Sequence, residues 1–140
     1  MACSGALLER RTSMRILVIG ECLLGQAVER ALRHPHNTTF ACGKEGELEM
    51  WMRRFTPDLV LIDTAGLGIN GLQVFRRLRA LGYKGQTSFT QSEGVTLPRW
   101  AQVPIEEGLV HGLLQVPWTP ENVVAWFETM TPGLALKGVE

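Results

Sequence analysis

Three residues of this 140-residue chain combine chemical character with a spacing that could bring them together: Glu21, Asp63 and Thr90. Asp63 directly follows the apolar run Leu59-Val60-Leu61-Ile62. Glu21 follows Ile16-Leu17-Val18-Ile19-Gly20, and Thr90 closes the stretch 86–90. Two carboxylates and a hydroxyl at the ends of three strands would make a compact polar cluster on an otherwise apolar sheet. Each residue also has a plainer reading: Asp63 as a polar strand end, Glu21 as a solvated turn residue, and Thr90 as one of the threonines common at strand ends.

Other reactive side chains offer less. His34 and His36 flank Pro35 in a predicted loop, and no third ligand stands near them in the sequence, so a structural or solvated role is expected rather than metal binding. Cys3, Cys22 and Cys42 are odd in number and scattered, which argues against a disulfide framework and fits a cytosolic compartment. The turn Gly20-Glu21-Cys22-Leu23-Leu24-Gly25 has the outline of a dinucleotide-binding fingerprint. Its middle glycine is Cys22, which would obstruct a pyrophosphate, and no acidic residue cleanly ends the second strand. Nucleotide binding remains an alternative reading.

The elements that must position the cluster follow from hydrophobic periodicity. Residues 16–19 form a short, wholly apolar run, as expected of a strand buried on both faces. Leu24, Ala27, Val28, Ala31 and Leu32 then repeat at helical spacing. A second strand is predicted over 38–42, and a second helix with Leu48, Trp51, Met52 and Phe55 inward and Arg53 and Arg54 outward. Thr56-Pro57 stops that helix. After Asp63, a loop containing Gly66, Gly68 and Gly71 leads to a third helix. It is expected to bury Leu72, Phe75, Leu78 and Leu81 or their neighbours, to expose Arg76, Arg77 and Arg79, and to end at Gly82.

A weaker fourth strand is predicted over 86–90. Between 93 and 108, Pro98 and Pro104 restrict any helix to short pieces. A fifth strand follows over 112–116. Thr119-Pro120-Glu121 supplies an N-cap hydroxyl, a first-turn proline and an acid near the positive end of the helix dipole. Val123, Trp126, Phe127 and Met130 form the apolar face of this last helix. Alternating strands and helices imply an α/β fold, a doubly wound five-stranded parallel sheet with a shortened or irregular fourth helix. In the order 2-1-3-4-5, Glu21, Asp63, Thr90 and Pro117 gather at the carboxyl ends of the strands, where such sheets carry their sites. The folded unit is expected over 14–131, with 1–13 a flexible extension and 132–140 a tail.

The segment Pro57-Asp58-Leu59-Val60-Leu61-Ile62-Asp63, followed by Gly71-Leu72-Gln73-Val74-Phe75-Arg76-Arg77-Leu78-Arg79, resembles the third strand and helix of response-regulator receiver domains. Residues 16–24 resemble their first strand and turn, and Val116-Pro117-Trp118 the end of their fifth. The resemblance implies a flavodoxin-like receiver fold and a phosphoacceptor at Asp63, with Glu21 and Asp63 as ligands of a weakly held Mg²⁺ and Thr90 contacting the phosphoryl group. Such chemistry needs cations to offset phosphoryl charge and carboxylates to hold the metal. This chain departs from the pattern. Gly20 stands where the first of two acids is usual, and Gln91 where a small residue is usual. Val116 stands in place of the lysine, and Leu113 in place of the aromatic switch residue.

These departures lead to the expectation of an atypical stand-alone receiver-like signalling module with weak or absent phosphorylation of Asp63, and with no enzymatic activity. A phosphorylatable single-domain response regulator is the alternative. Output is expected through protein contacts, with a histidine kinase or another signalling protein as partner. The contact face is expected to be the segment 93–108, the fifth strand and the last helix, with homodimerisation through the same face as one option. Trp100 and Trp118 are the candidate contact residues there, although both could simply pack over the fourth helix; Trp51 and Trp126 are expected in the core. Lys plus Arg and Asp plus Glu each number 14, so no global field favours nucleic acid or an anionic membrane. No apolar run approaches the roughly 18 residues of a membrane span.

Overall fold

In the computed structural model, described over residues 14–20, 22–32, 37–42, 45–64, 71–92 and 94–130, five parallel strands make one sheet in the order β2-β1-β3-β4-β5. The strands are β1 Arg15–Ile19, β2 Thr38–Cys42, β3 Leu59–Ile62, β4 Gln86–Ser92 and β5 Gly112–Val116. The helices are α1 Cys22–Ala31, α2 Leu48–Phe55, α3 Gly71–Ala80, α4 Arg99–Glu106 and α5 Pro120–Met130, with a 3-10 turn at Glu45–Glu47 before α2. This is the doubly wound α/β architecture and strand order expected from the sequence. The extensions 1–13 and 132–140, and the His34–Pro35–His36 loop, lie outside the described residues.

The all-apolar runs of β1 and β3 are central because both of their faces are covered. Leu17, Ile19, Val60 and Ile62 project toward α2, α3 and α4, where they meet Leu48, Phe55, Val74, Phe75, Leu78 and Ala101. Ile16, Val18, Leu59 and Leu61 project the other way, toward Leu24 and Val28 of α1 and Val123, Trp126 and Met130 of α5. Each fully buried Leu, Ile or Val side chain contributes about 1.5–3 kcal/mol of transfer free energy, so these two rows anchor the sheet.

Local signals explain the boundaries. α3 and α4 end alike. Gly82 and Gly108 take positive φ, and Tyr83 N–H and Leu109 N–H reach back to the carbonyls of Leu78 and Pro104. This is the Schellman closure that a glycine permits at low cost. At α2 the left-handed residue is Thr56, whose N–H donates to the Met52 carbonyl and whose hydroxyl accepts from Arg15 Nη1 at 2.9 Å. Thr119 caps α5 as predicted, its Oγ1 accepting from Asn122 N–H.

Several expectations shift in detail. On α3 the buried set is Gly71, Val74, Phe75 and Leu78, an i, i+3, i+4, i+7 stripe; Leu72 flanks it and Leu81 is exposed. β4 runs two residues beyond Thr90 because Gln91 and Ser92 pair with Gln115 and Val116 of β5. α4 is a single eight-residue helix that passes through Pro104. The proline sits in the last turn, so its missing N–H costs one bond there, and its ring is buried.

Candidate functional site

Strand register builds the site. Ile19 of β1 stands beside Ile62 of β3, and Ile62 beside Phe89 of β4. The next residue of each strand therefore falls in one row: Gly20, Asp63 and Thr90. On the same face, one row earlier, stand Val18, Leu61 and Ser88. The row is polar because it lies where the sheet ends and the loops begin, and Asp63 N–H still donates to the Ile19 carbonyl at 2.9 Å.

Asp63 is only 3% exposed and Thr90 only 1%. Burying a carboxylate requires hydrogen-bonding partners. The Thr90 hydroxyl donates to Asp63 Oδ1 at 3.0 Å and accepts from Thr64 N–H at 3.0 Å. The Thr64 hydroxyl in turn donates to the Thr90 carbonyl at 2.7 Å. Thr64 and Thr90 are thus joined reciprocally, and the pair ties the end of β3 to β4 with Asp63 inside the network. Sequence reasoning placed Asp63 and Thr90 together but missed Thr64. Its signal was a second hydroxyl directly after the aspartate.

Gly20 is the close neighbour on the other side. A Cβ on Gly20 would lie 2.5 Å from the Asp63 Cβ and 3.2 Å from its Oδ2. Real carbon atoms do not approach so closely, and the obstructing Asp63 Cβ is not a flexible tip. The Asp63 side chain therefore occupies room that a side chain at position 20 would need. Gly25, the last glycine of the fingerprint-like turn, is explained by packing: its Cβ would fall 2.6 Å from that of Ala41 on β2.

Around this row, Gln91 is half-buried. Its Oε1 accepts from Gln115 Nε2 at 3.1 Å, and its Nε2 reaches the Val95 carbonyl at 3.5 Å. Leu113 packs toward the α2–α4 side of the sheet. Glu21 lies outside the described residues, as does the side chain of Val116. Among the described residues no group of three or more His, Cys, Asp or Glu is arranged to hold a metal ion. Of the described row only Asp63 brings a carboxylate, and Gly20 brings no side-chain donor.

The tryptophans divide. Trp126 is buried and its Nε1–H donates to Ser88 Oγ at 2.8 Å. Trp51 is half-buried between Phe40 and Phe55, at ring distances of 4.8 and 6.5 Å. Trp100 is also half-buried: its ring meets Phe89 edge-on at 5.4 Å and fills the space above the Cα of Gly71. Trp118 packs against the α1–α5 side, with Nε1 buried and unpaired. Arg76, Arg77 and Arg79 are exposed, as expected, and Arg77 approaches Glu49 at 3.5 Å. No helix among the described residues is long and apolar enough to cross a membrane.

No family model matches the chain, and no curated protein matches it. Solved structures do. The signal receiver domain of a protein assigned as a Luxo repressor from Vibrio parahaemolyticus aligns with a TM-score of 0.69 at 13% identity, over 91% of this chain and 96% of that one. The chemotaxis response regulator CheY4 of Vibrio cholerae aligns at 0.65 and 15% identity, over 81% and 95%. A response regulator from Thermotoga maritima aligns at 0.68 and 16% identity, over 86% and 98%. With the strand order and the row at the carboxyl ends already in place, these likenesses show that the chain adopts the five-stranded α/β receiver fold.

Proposed function

We propose that the chain is a receiver-like signalling module that works through protein contacts, with Asp63 a packed structural group rather than an efficient phosphoacceptor. The observation that carries this reading is the closeness of Gly20 to Asp63, where no side chain can be added at position 20 without moving the aspartate. A phosphoacceptor carboxylate must meet a phosphodonor and a cation. Asp63 is 3% exposed and accepts the Thr90 hydroxyl. Gly20 supplies no side-chain metal donor, and Val116 supplies no cation to the phosphoryl oxygens. On this reading any Mg²⁺ held by Asp63 and Glu21 is weak. Signal transfer then rests on surface recognition by a protein partner, a histidine kinase being one candidate, with Trp118 and the outer edge of Trp100 as contacts.

The retained pairing of Asp63 with Thr90 is the observation that favours the alternative, a working response regulator. Incubation with a small-molecule phosphodonor and Mg²⁺, followed by intact-mass measurement, separates the two. The expected result is no gain of about 80 Da within the time a working receiver needs. Rapid, near-complete gain of that mass, lost in Asp63→Asn, would establish the alternative.

A further inference from the structure

We propose that the groove between the 3-10 turn and α3 receives helix α5 of a second copy of this chain, giving a head-to-tail contact. This goes beyond the reading of Asp63 and does not depend on it. The groove has a volume of about 550 Å³ and is lined by Gly46 and Leu48 on one side and by Gln73, Val74, Arg76, Arg77 and Ala80 of α3 on the other. Its floor is apolar and its rim carries guanidinium groups. Among the described residues no carboxylate pairs with Arg76, and Arg77 shares Glu49 with Arg53. On the opposite wall, Glu47 of the 3-10 turn is exposed and Glu49 already faces Arg77, so Arg76 is the guanidinium left to meet a partner's carboxylate.

The same chain carries the complementary surface. Helix α5 contains two glutamates and no basic residue. Its solvent face presents Glu121, Val124, Ala125 and Glu128. These positions form an i, i+3, i+4, i+7 stripe with an apolar centre between two acids about 10 Å apart along the helix. Neither glutamate has an ion pair among the described residues. An apolar centre flanked by carboxylates suits an apolar floor flanked by arginines. A chain with zero formal net charge has no general reason to attract an acidic partner; its local polarity favours another copy of itself. The groove lies on the α2–α4 side of the sheet and α5 on the opposite side. One molecule cannot satisfy both, so the contact is heterologous and builds a ring or an open chain of copies.

Sedimentation velocity over a range of protein concentrations, at about 20 mM and about 500 mM NaCl, tests this because exposed charge pairs are screened by salt. The expected result is a sedimentation coefficient that rises with concentration at low salt, with association weakened about tenfold or more at high salt. Arg76→Ala with Arg77→Ala should remain monomeric, and so should Glu121→Gln with Glu128→Gln. All four side chains are exposed, and circular dichroism should show both variants folded. Mixed together, the two variants should form particles of two copies that grow no further, because one retains the acidic stripe and the other the groove. Monomers at every concentration and salt, or association that survives in the arginine variant, would overturn the proposal.

Discussion

At the carboxyl end of the sheet, Asp63 is 3% exposed, its neighbour Thr90 is engaged by both Asp63 and Thr64, and a Cβ on Gly20 would fall 2.5 Å from that of Asp63. Beside α3, Arg76 faces solvent with no carboxylate partner among the described residues, above a groove of about 550 Å³. The first region has the residue types of a reaction centre, held in a buried hydrogen-bond network. The second has room and unpaired charge, and its sequence signature was only a run of arginines. A buried polar group is stable when its hydrogen bonds are satisfied. An exposed, unpaired cation contributes little to stability and remains available for recognition. The contrast sets a buried, hydrogen-bonded carboxylate against exposed cations beside an open groove.

Breaking the closed end should give the largest effects. Trp100 covers Gly71 and meets Phe89 at 5.4 Å, so Trp100→Ala should destabilise the domain by about 3 kcal/mol in urea unfolding. A loss within experimental error would mean that the ring is not part of the core. Gly20→Asp, which restores the acid usual in receivers, should cost about 1–3 kcal/mol because it forces Asp63 aside. Stability equal to wild type would show that the row can open. Thr90→Val removes the hydroxyl shared by Asp63 and Thr64 N–H, and should lower stability by about 1–2 kcal/mol. Amide exchange at Thr64 should accelerate in that variant, since its N–H loses its acceptor. Arg76→Ala, on the open side, should change the unfolding free energy by less than about 0.5 kcal/mol. A larger loss would mean that the arginine is structural and would erase the contrast.

The fold was legible in the sequence to a large degree, for physical reasons. The runs at 16–19 and 59–62 are apolar without alternation because both faces of β1 and β3 are buried. Gly82 and Thr119 marked helix boundaries through their backbone and capping preferences. α4 was less legible because a proline rule that considers only residue type cannot tell a helix interior from a last turn. At the site, Asp63 and Thr90 could be paired once the strand order was assumed. The meaning of Gly20 could not be read in full. Sequence showed the absence of an acid, whereas the 2.5 Å approach that fills its place depends on strand register and on side-chain position. Likewise Ser88 gave no sign that it would accept from Trp126 across 38 residues of chain.

On the reading proposed above, Asp63 is a packed structural group rather than an efficient phosphoacceptor. Amide spectra recorded during titration with beryllium trifluoride and Mg²⁺ test this directly, because beryllofluoride on a carboxylate mimics the acyl phosphate without requiring a kinase or a reactive donor. The amides of Asp63, Thr64, Thr90 and Gln91 should show no saturable change. Saturable shifts at these four residues, abolished in Asp63→Asn, would contradict the account.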